Sequence, residues 1–151
     1  MEVKFLNGKV AKVIGGLGAV LGLLIALTPF QLAPVCQRLL ELTSGKMAHM
    51  RCHYTGQGEV FLGIIVVLVS LIYLFNTSIP AQKALGGVLM ILGCAVIILP
   101  TNLGIGVCMN PMECHTTAKT LYVLGGLTLI DGLVAVFQEK LPVSPSQDMK
   151  A

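Results

Sequence analysis

Charged residues are scarce in this sequence. Only 11% of its 151 residues are Asp, Glu, Lys or Arg, whereas 55% are hydrophobic, and the mean hydropathy is +0.86. A water-soluble domain of this length does not have such a composition, so a soluble fold is excluded. The net charge is +3, and the basic residues are scattered over the ends and loops. Because there is no basic cluster, no nucleic-acid partner is expected.

The common catalytic and cofactor motifs are also missing. The sequence has no glycine-rich phosphate loop, no Ser-His-Asp order and no pair of acids at a useful spacing. It lacks Cys-x-x-Cys and Cys-x-x-Cys-His, so covalent haem attachment is not indicated and no cofactor is expected. An enzyme would have to be built from the sulfur and imidazole groups of the loops alone.

Four apolar runs make up most of what is present. Three are uncharged, Val13–Phe30, Val60–Phe75 and Ala84–Leu99, and the fourth, Leu121–Phe137, contains a single acid. With its flanking Thr, Ser and Gly, each run reaches the roughly 20 residues of a spanning helix. In none of these runs do apolar and polar residues alternate with a period of two, and this favours helices over the strands of a barrel. The sequence predicts an all-α integral membrane protein with four transmembrane helices, one domain over residues 1–151, and a flexible tail at 138–151.

An internal repeat relates residues 12–75 to residues 83–137. Lys12–Pro29 and Lys83–Pro100 align without a gap and share a lysine, paired glycines, a third glycine and a closing proline. Each copy continues with Val-Cys, then Met-x-Cys-His-x-Thr, then a second apolar run. The repeat predicts two duplicated helical hairpins with both cysteine loops on one side of the membrane.

The lysines favour one orientation of these hairpins. No small-x-small cleavage site follows the first run, so we interpret that run as a signal anchor. The positive-inside rule places both termini in the cytoplasm. The predicted inner side carries Lys4, Lys9, Lys12, Lys83, Lys140 and Lys150, and the outer side carries Arg38, Lys46, Arg51 and Lys119.

Four cysteines occupy duplicated loop positions. Cys36 and Cys52 belong to the first loop, and Cys108 and Cys114 to the second. An outer, oxidising compartment permits disulfides. Three pairings are possible, and the simplest for a duplicated hairpin joins the two cysteines of each loop. A bond that closes the first loop would stabilise it by about 3 kcal/mol.

Two chemical alternatives to structural disulfides stay open. The loops offer soft donors that suit copper(I) or zinc, although an adjacent Cys-His pair is not a usual bidentate spacing. The second alternative is a four-helix thiol–quinone oxidoreductase, although the reactive pair of those enzymes is a Cys-x-x-Cys. The residues that could bind a metal, or simply anchor the loops, are Met50, His53, Met112 and His115.

The sequence gives a separate prediction for each of five further residues. Thr55 and Thr117 fall where the second and fourth helices are expected to begin, so they are predicted N-caps. Asp131 lies inside the fourth run, where a carboxylate is costly. It indicates either a polar contact with the bundle interior or with a partner, or a position near the cytoplasmic interface where the acid is hydrated. Glu59 is expected to be an interfacial acid at a helix N-terminus, and Cys94 a small packing residue.

The glycine-rich first and third runs predict close helix packing. Small residues let helix backbones approach within a membrane. The packing surface is either the seam within this molecule or an interface with a partner, and it comprises Gly15, Gly18, Gly22, Gly86, Gly87 and Gly93.

The doubled Met-x-Cys-His-x-Thr motif, with Pro-Val-Cys before the first copy and Gly-Val-Cys before the second, resembles a bacterial family of short four-helix membrane proteins known only as a domain of unknown function. The resemblance covers nearly the whole chain. Members of that family often accompany genes for ABC-type exporters with MacB-like permeases. The resemblance thus implies a non-enzymatic accessory subunit of the bacterial inner membrane, bound to other membrane subunits or to a second copy of itself.

Overall fold

Four long helices and one short hairpin form the fold. The computed structural model describes residues 2–32, 34–35, 39–41, 45, 47–49, 51–106 and 114–137. The helices are α1 (Glu2–Leu27), α2 (Arg51–Phe75), α3 (Ile79–Ile98) and α4 (Cys114–Phe137). A π-helical turn, Thr28–Leu32, continues α1, and strands β1 (Leu39–Glu41) and β2 (Met47–His49) pair antiparallel between α1 and α2. The apolar runs do not predict this small hairpin, since it lies in the polar first loop.

Each of the four helices contains a stretch that is long and apolar enough to cross a membrane. Large apolar side chains cover their outer faces, where they match the hydrocarbon of a bilayer. The prediction of an all-α multi-pass membrane protein is therefore confirmed. The four stretches are Lys9–Leu32, Cys52–Phe75, Ile79–Ile98 and His115–Phe137.

The helices pack in a ring. The two hairpin pairs, α1 with α2 and α3 with α4, make the most extensive contacts, while α2 also contacts α3 and α1 contacts α4. We call the end of the bundle with the α1–α2 and α3–α4 connections the loop end, and the opposite end the terminal end. Toward the loop end, Leu21, Ile25, Val96, Leu121 and Leu124 form one buried core. Toward the terminal end, a second core comprises Ala11, Ile14, Tyr73 and Ala135.

The turn between α2 and α3 is held by one asparagine. The Asn76 side-chain oxygen accepts hydrogen bonds from the Ser78 amide at 3.1 Å and from the Ser78 hydroxyl at 2.9 Å. The Gln82 side chain donates to the Asn76 carbonyl at 2.8 Å. Pro80 occupies the first turn of α3, where a missing amide hydrogen costs nothing. The turn therefore fixes how the two hairpins meet at the terminal end.

Candidate functional site

The loop end of the bundle encloses a small cavity. Its volume is about 10 Å³, which is roughly the space that one water molecule needs. All four helices or their adjoining segments contribute to its wall, so it lies where the two hairpins meet. The lining residues are Val35, Cys52, Thr55, Gly56, Pro100, Thr117, Ala118 and Leu121.

Cys52 is the one predicted bridging cysteine whose side chain the structure describes. It is disulfide-bonded and only 1% exposed, in the first turn of α2. Cys36 and Cys108, together with the side chain of Cys114, lie outside the described residues, so the pairing within each loop stays a prediction. Cys94 is a free thiol and is exposed on the surface of α3. It therefore faces outward, and the expectation that it packs inside the bundle is wrong.

Thr55 and Thr117 are not N-caps. The first residues of α2 and α4 are Arg51 and Cys114, so both threonines lie inside their helices. The Thr55 hydroxyl instead donates a 2.8 Å hydrogen bond to the carbonyl of Gly106, in the turn that follows α3. That turn is compact because the amides of Ile105 and Gly106 both donate to the carbonyl of Leu99. Thr55 thus ties the first hairpin to the second.

The loop histidines lie in different environments. The Gln57 side-chain nitrogen lies 3.2 Å from His53 Nε2, and the His53 ring meets Tyr54 edge-on at 6.0 Å. His115 is exposed at the start of α4. His49 ends β2 whereas His53 belongs to α2, so their four-residue spacing does not place them on one helix.

The predicted metal donors are only partly described. Within the part of the chain that the structure describes, no three His, Cys, Asp or Glu side chains gather as metal ligands would. Met50 and Met112 lie outside the described residues. The structure therefore brings His53 and His115 into no common metal site with other described residues.

Glycines on α1 allow close contact between α1 and α2. A Cβ atom added to Gly22 would lie 2.8 Å from the Val67 amide nitrogen and 2.9 Å from the Gly63 carbonyl oxygen. At Gly15 it would lie 3.0 Å from the Leu74 Cβ. Backbone atoms that close leave no room for a side chain, so these glycines lie in a seam within the molecule.

The second hairpin is packed in the same way. A Cβ atom on Gly93 would lie 2.7 Å from the Leu129 amide nitrogen, and one on Gly86 would lie 2.9 Å from the Ala135 Cβ. Gly87 differs, because no atom lies within 4 Å of the position that its Cβ would take. Gly87 therefore lies outside the seam within the molecule, and its place in an interface with a partner stays a prediction.

Asp131 points into the bundle and not toward a partner. It is 5% exposed, and its Oδ2 atom and the Ser70 Oγ atom lie 3.0 Å and 2.5 Å from the position that a Cβ on Gly18 would take. Both oxygens are buried without a hydrogen-bond partner. Tyr73, fully buried one turn from Ser70, is close enough to interact electrostatically with Asp131. Glycine at position 18 is what lets the two polar side chains of α2 and α4 meet beside α1.

Glu59 is the largest departure from the sequence analysis. It is 0% exposed, and neither of its carboxylate oxygens has a hydrogen-bond partner. The expectation of an interfacial acid at a helix N-terminus is therefore wrong, because α2 begins eight residues earlier, at Arg51. Eight residues correspond to about 12 Å of helix. Glu59 consequently lies well inside the bundle.

One pattern in the sequence could have revealed this polar interior. The inward face of α2 carries small or polar residues at steps of three, four or seven, which fit the helical period. Thr55, Glu59, Gly63, Ser70 and Tyr73 follow that spacing and are all buried. Considered one at a time, these residues do not predict that Ser70 and Tyr73 are buried.

Comparison with known proteins gives one match. A family model described as "Domain of unknown function (DUF4418)" matches residues 18–138. No curated protein and no solved structure matches the chain. The matched range contains the cavity, the two buried acids and the seam glycines other than Gly15.

Proposed function

We propose a function for this chain on the premise that it belongs to the DUF4418 family, whose model covers most of it. The proposal is that the protein is a small non-enzymatic subunit of the membrane. Its disulfide-bonded loops and tightly packed hairpins form a rigid body that binds another membrane protein, such as an ABC-type exporter, or a second copy of itself.

Burial of the Cys52 disulfide is the observation that carries the non-enzymatic role. Thiol–disulfide exchange requires a thiolate to reach a sulfur atom. Because Cys52 is only 1% exposed, an attacking thiol cannot reach its sulfur unless the loop end opens. The buried Cys52 sulfur therefore favours a structural bond, and exchange would have to begin at the partner sulfur.

Close packing of the bundle supports the same role. Gly22 and Gly93 bring backbones together within each hairpin, and the loop-end cavity has room for about one water. Such a bundle offers its outer surface for binding more readily than its interior.

The surroundings follow from the charges and cysteines. We place the chain in the bacterial inner membrane with both termini in the cytoplasm, because Lys9, Lys12 and Lys83 lie at the terminal end. The loop end then faces the oxidising side, where disulfides persist. Labelling of intact cells with a membrane-impermeant thiol reagent after reduction tests this orientation.

Cysteine mapping tests the proposal directly. Purified protein is alkylated without a reductant and digested, and its linked peptides are identified by mass. We expect Cys94 to be the alkylated thiol, with Cys36 joined to Cys52 and Cys108 to Cys114. Free outer thiols whose fraction changes with the redox state of added quinone would overturn the proposal.

That last result would favour a thiol–quinone oxidoreductase as the alternative. The observation in its favour is that the Cys52 disulfide borders a cavity at one end of a four-helix bundle. Elemental analysis of the same preparation tests the copper or zinc alternative, which predicts bound metal. Mild crosslinking in native membranes then identifies the partner.

A further inference from the structure

We propose that Glu59 is a neutral, proton-bearing carboxyl group inside the membrane, and that it exchanges its proton with water at the loop end of the bundle. This inference does not depend on the proposed function. It would stand whether the chain is a subunit or an enzyme.

The surroundings of Glu59 make an ionised carboxylate untenable. Its side chain is fully buried, and neither Oε1 nor Oε2 has a hydrogen-bond partner. A buried charge needs an opposite charge or several hydrogen bonds, and without them it becomes neutral. A bound proton supplies that neutrality without any movement of the chain.

No buried cation is present among the side chains that the structure describes on the helices around Glu59. Among the described side chains of α1, α3 and α4, Asp131 is the only titratable group that is buried, and it is itself an acid. On α2, Tyr54 is exposed, Tyr73 lies near Asp131, and His53, six residues before Glu59, is half-buried. The other titratable side chains that the structure describes on these three helices are exposed: Lys9, Lys12, Lys83, Cys94, His115, Lys119 and Tyr122.

The second copy of the repeat has an apolar residue at the position that corresponds to Glu59. Glu59 follows Thr55 by four residues, as Leu121 follows Thr117. Leu121 is 1% exposed, packs in the loop-end core and lines the cavity. One hairpin therefore carries a leucine where the other carries a carboxyl group, so the acid is not required for packing of the hairpin.

The loop-end cavity supplies the exchange route. Thr55 and Gly56, which lie one turn before Glu59 on the same helix face, form part of its wall. Side chains in a helix lean toward its N-terminus, and the N-terminus of α2 is at the loop end. The cavity therefore lies about one helical turn from Glu59, on the side of the loops, although Glu59 itself is not among its lining residues.

Asp131 is a separate group in the other half of the bundle. It follows Leu121, the counterpart of Glu59, by ten residues, which is about 15 Å of helix. The apolar side chains of Leu21, Ile25 and Leu124 lie in the loop-end core. Glu59 and Asp131 are therefore two independent positions, and Asp131 provides a matched control.

Infrared spectroscopy of the full chain in lipid vesicles tests the proposal. Isotopic labelling of the five glutamates separates their carbonyl bands from those of the two aspartates. At neutral pH we expect one protonated glutamate band, at about one fifth of the intensity seen when all five are protonated by acid. The band should vanish in Glu59→Gln, persist in Asp131→Asn and shift within minutes in heavy water.

Three results would overturn the proposal. They are the absence of a protonated glutamate band at neutral pH, a band that survives in Glu59→Gln, and a band that does not shift in heavy water. If Glu59→Gln does not fold, the reaction of the wild-type protein with dicyclohexylcarbodiimide provides the test instead. This reagent takes the acid proton on one of its nitrogens while the carboxyl oxygen adds to its central carbon, and an acyl shift then leaves a stable N-acylurea. Mass mapping should find the adduct on Glu59, and an unmodified Glu59 would contradict the proposal.

Discussion

Replacement of Gly93 by alanine tests the packing of the second hairpin. The added Cβ would lie 2.7 Å from the Leu129 amide nitrogen, 2.9 Å from the Gly125 carbonyl oxygen and 3.0 Å from the Leu129 Cα. All three are backbone atoms, so no side chain can rotate away and the two helices must separate. Gly87 is the matched control on the same helix, because no atom lies within 4 Å of its Cβ position.

The expected magnitude follows from two opposing terms. Alanine favours a helix over glycine by about 0.5–1 kcal/mol, and this gain applies equally to Gly93→Ala and Gly87→Ala. Overpacking against fixed atoms costs about 1–3 kcal/mol and applies to Gly93→Ala alone. The free energies of unfolding of the two variants should therefore differ by about 1–3 kcal/mol, with Gly87→Ala at least as stable as the wild type.

The assay is unfolding of the purified protein in mixed micelles as the fraction of denaturing detergent is raised. The aligned pair in the first hairpin, Gly22→Ala against Gly16→Ala, should give the same order, because Gly22 contacts α2 backbone whereas no atom lies within 4 Å of the Gly16 Cβ position. If Gly93→Ala and Gly87→Ala unfold within about 0.5 kcal/mol of each other, the close contact between α3 and α4 does not exist.

Two further substitutions examine the polar contacts. Thr55→Val removes the hydrogen bond to the Gly106 carbonyl, so it should lower the free energy of unfolding by about 1 kcal/mol. The control is Thr120→Val, which should be nearly neutral because the half-buried Thr120 hydroxyl bonds only within its own helix. Equal effects of the two variants in the micelle assay would contradict the link between hairpins. Gly18→Ala should cost less than Gly93→Ala, because the atoms nearest its Cβ position, Ser70 Oγ and Asp131 Oδ2, belong to side chains that can rotate. Ser70→Ala, which removes a hydroxyl without a hydrogen-bond partner, should be tolerated in the same assay. A Gly18→Ala variant as unstable as Gly93→Ala would show that these side chains cannot move.

Hydropathy and length were sufficient to predict the four helices. A helix that satisfies its own backbone hydrogen bonds is the one economical way for these uncharged runs to cross hydrocarbon. The same reasoning gave a contact of Asp131 with the bundle interior as one possibility, and its side chain is buried there. The ends of the helices were harder to predict, because Thr55 resembles an N-cap in the sequence whereas α2 begins a full turn earlier.

Small residues were recognised as packing residues, yet their individual neighbours were not predictable. Gly86 and Gly87 are adjacent in sequence and both lack a side chain, but only Gly86 contacts α4. A rotation of about 100° per residue separates them around the helix, so which one meets a neighbour depends on how α3 is oriented. The orientation of α3 about its own axis cannot be predicted from a single sequence.

The sequence by itself determined that the chain is a membrane protein of four helices, because composition and run length act locally and need no knowledge of neighbours. Only the tertiary structure decided what each polar residue meets, because those contacts join helices distant in the chain. Glu59 and Thr55 illustrate the difference: both lie near the first cysteine loop in sequence, yet one is buried without a hydrogen-bond partner and the other bonds to a turn 51 residues away.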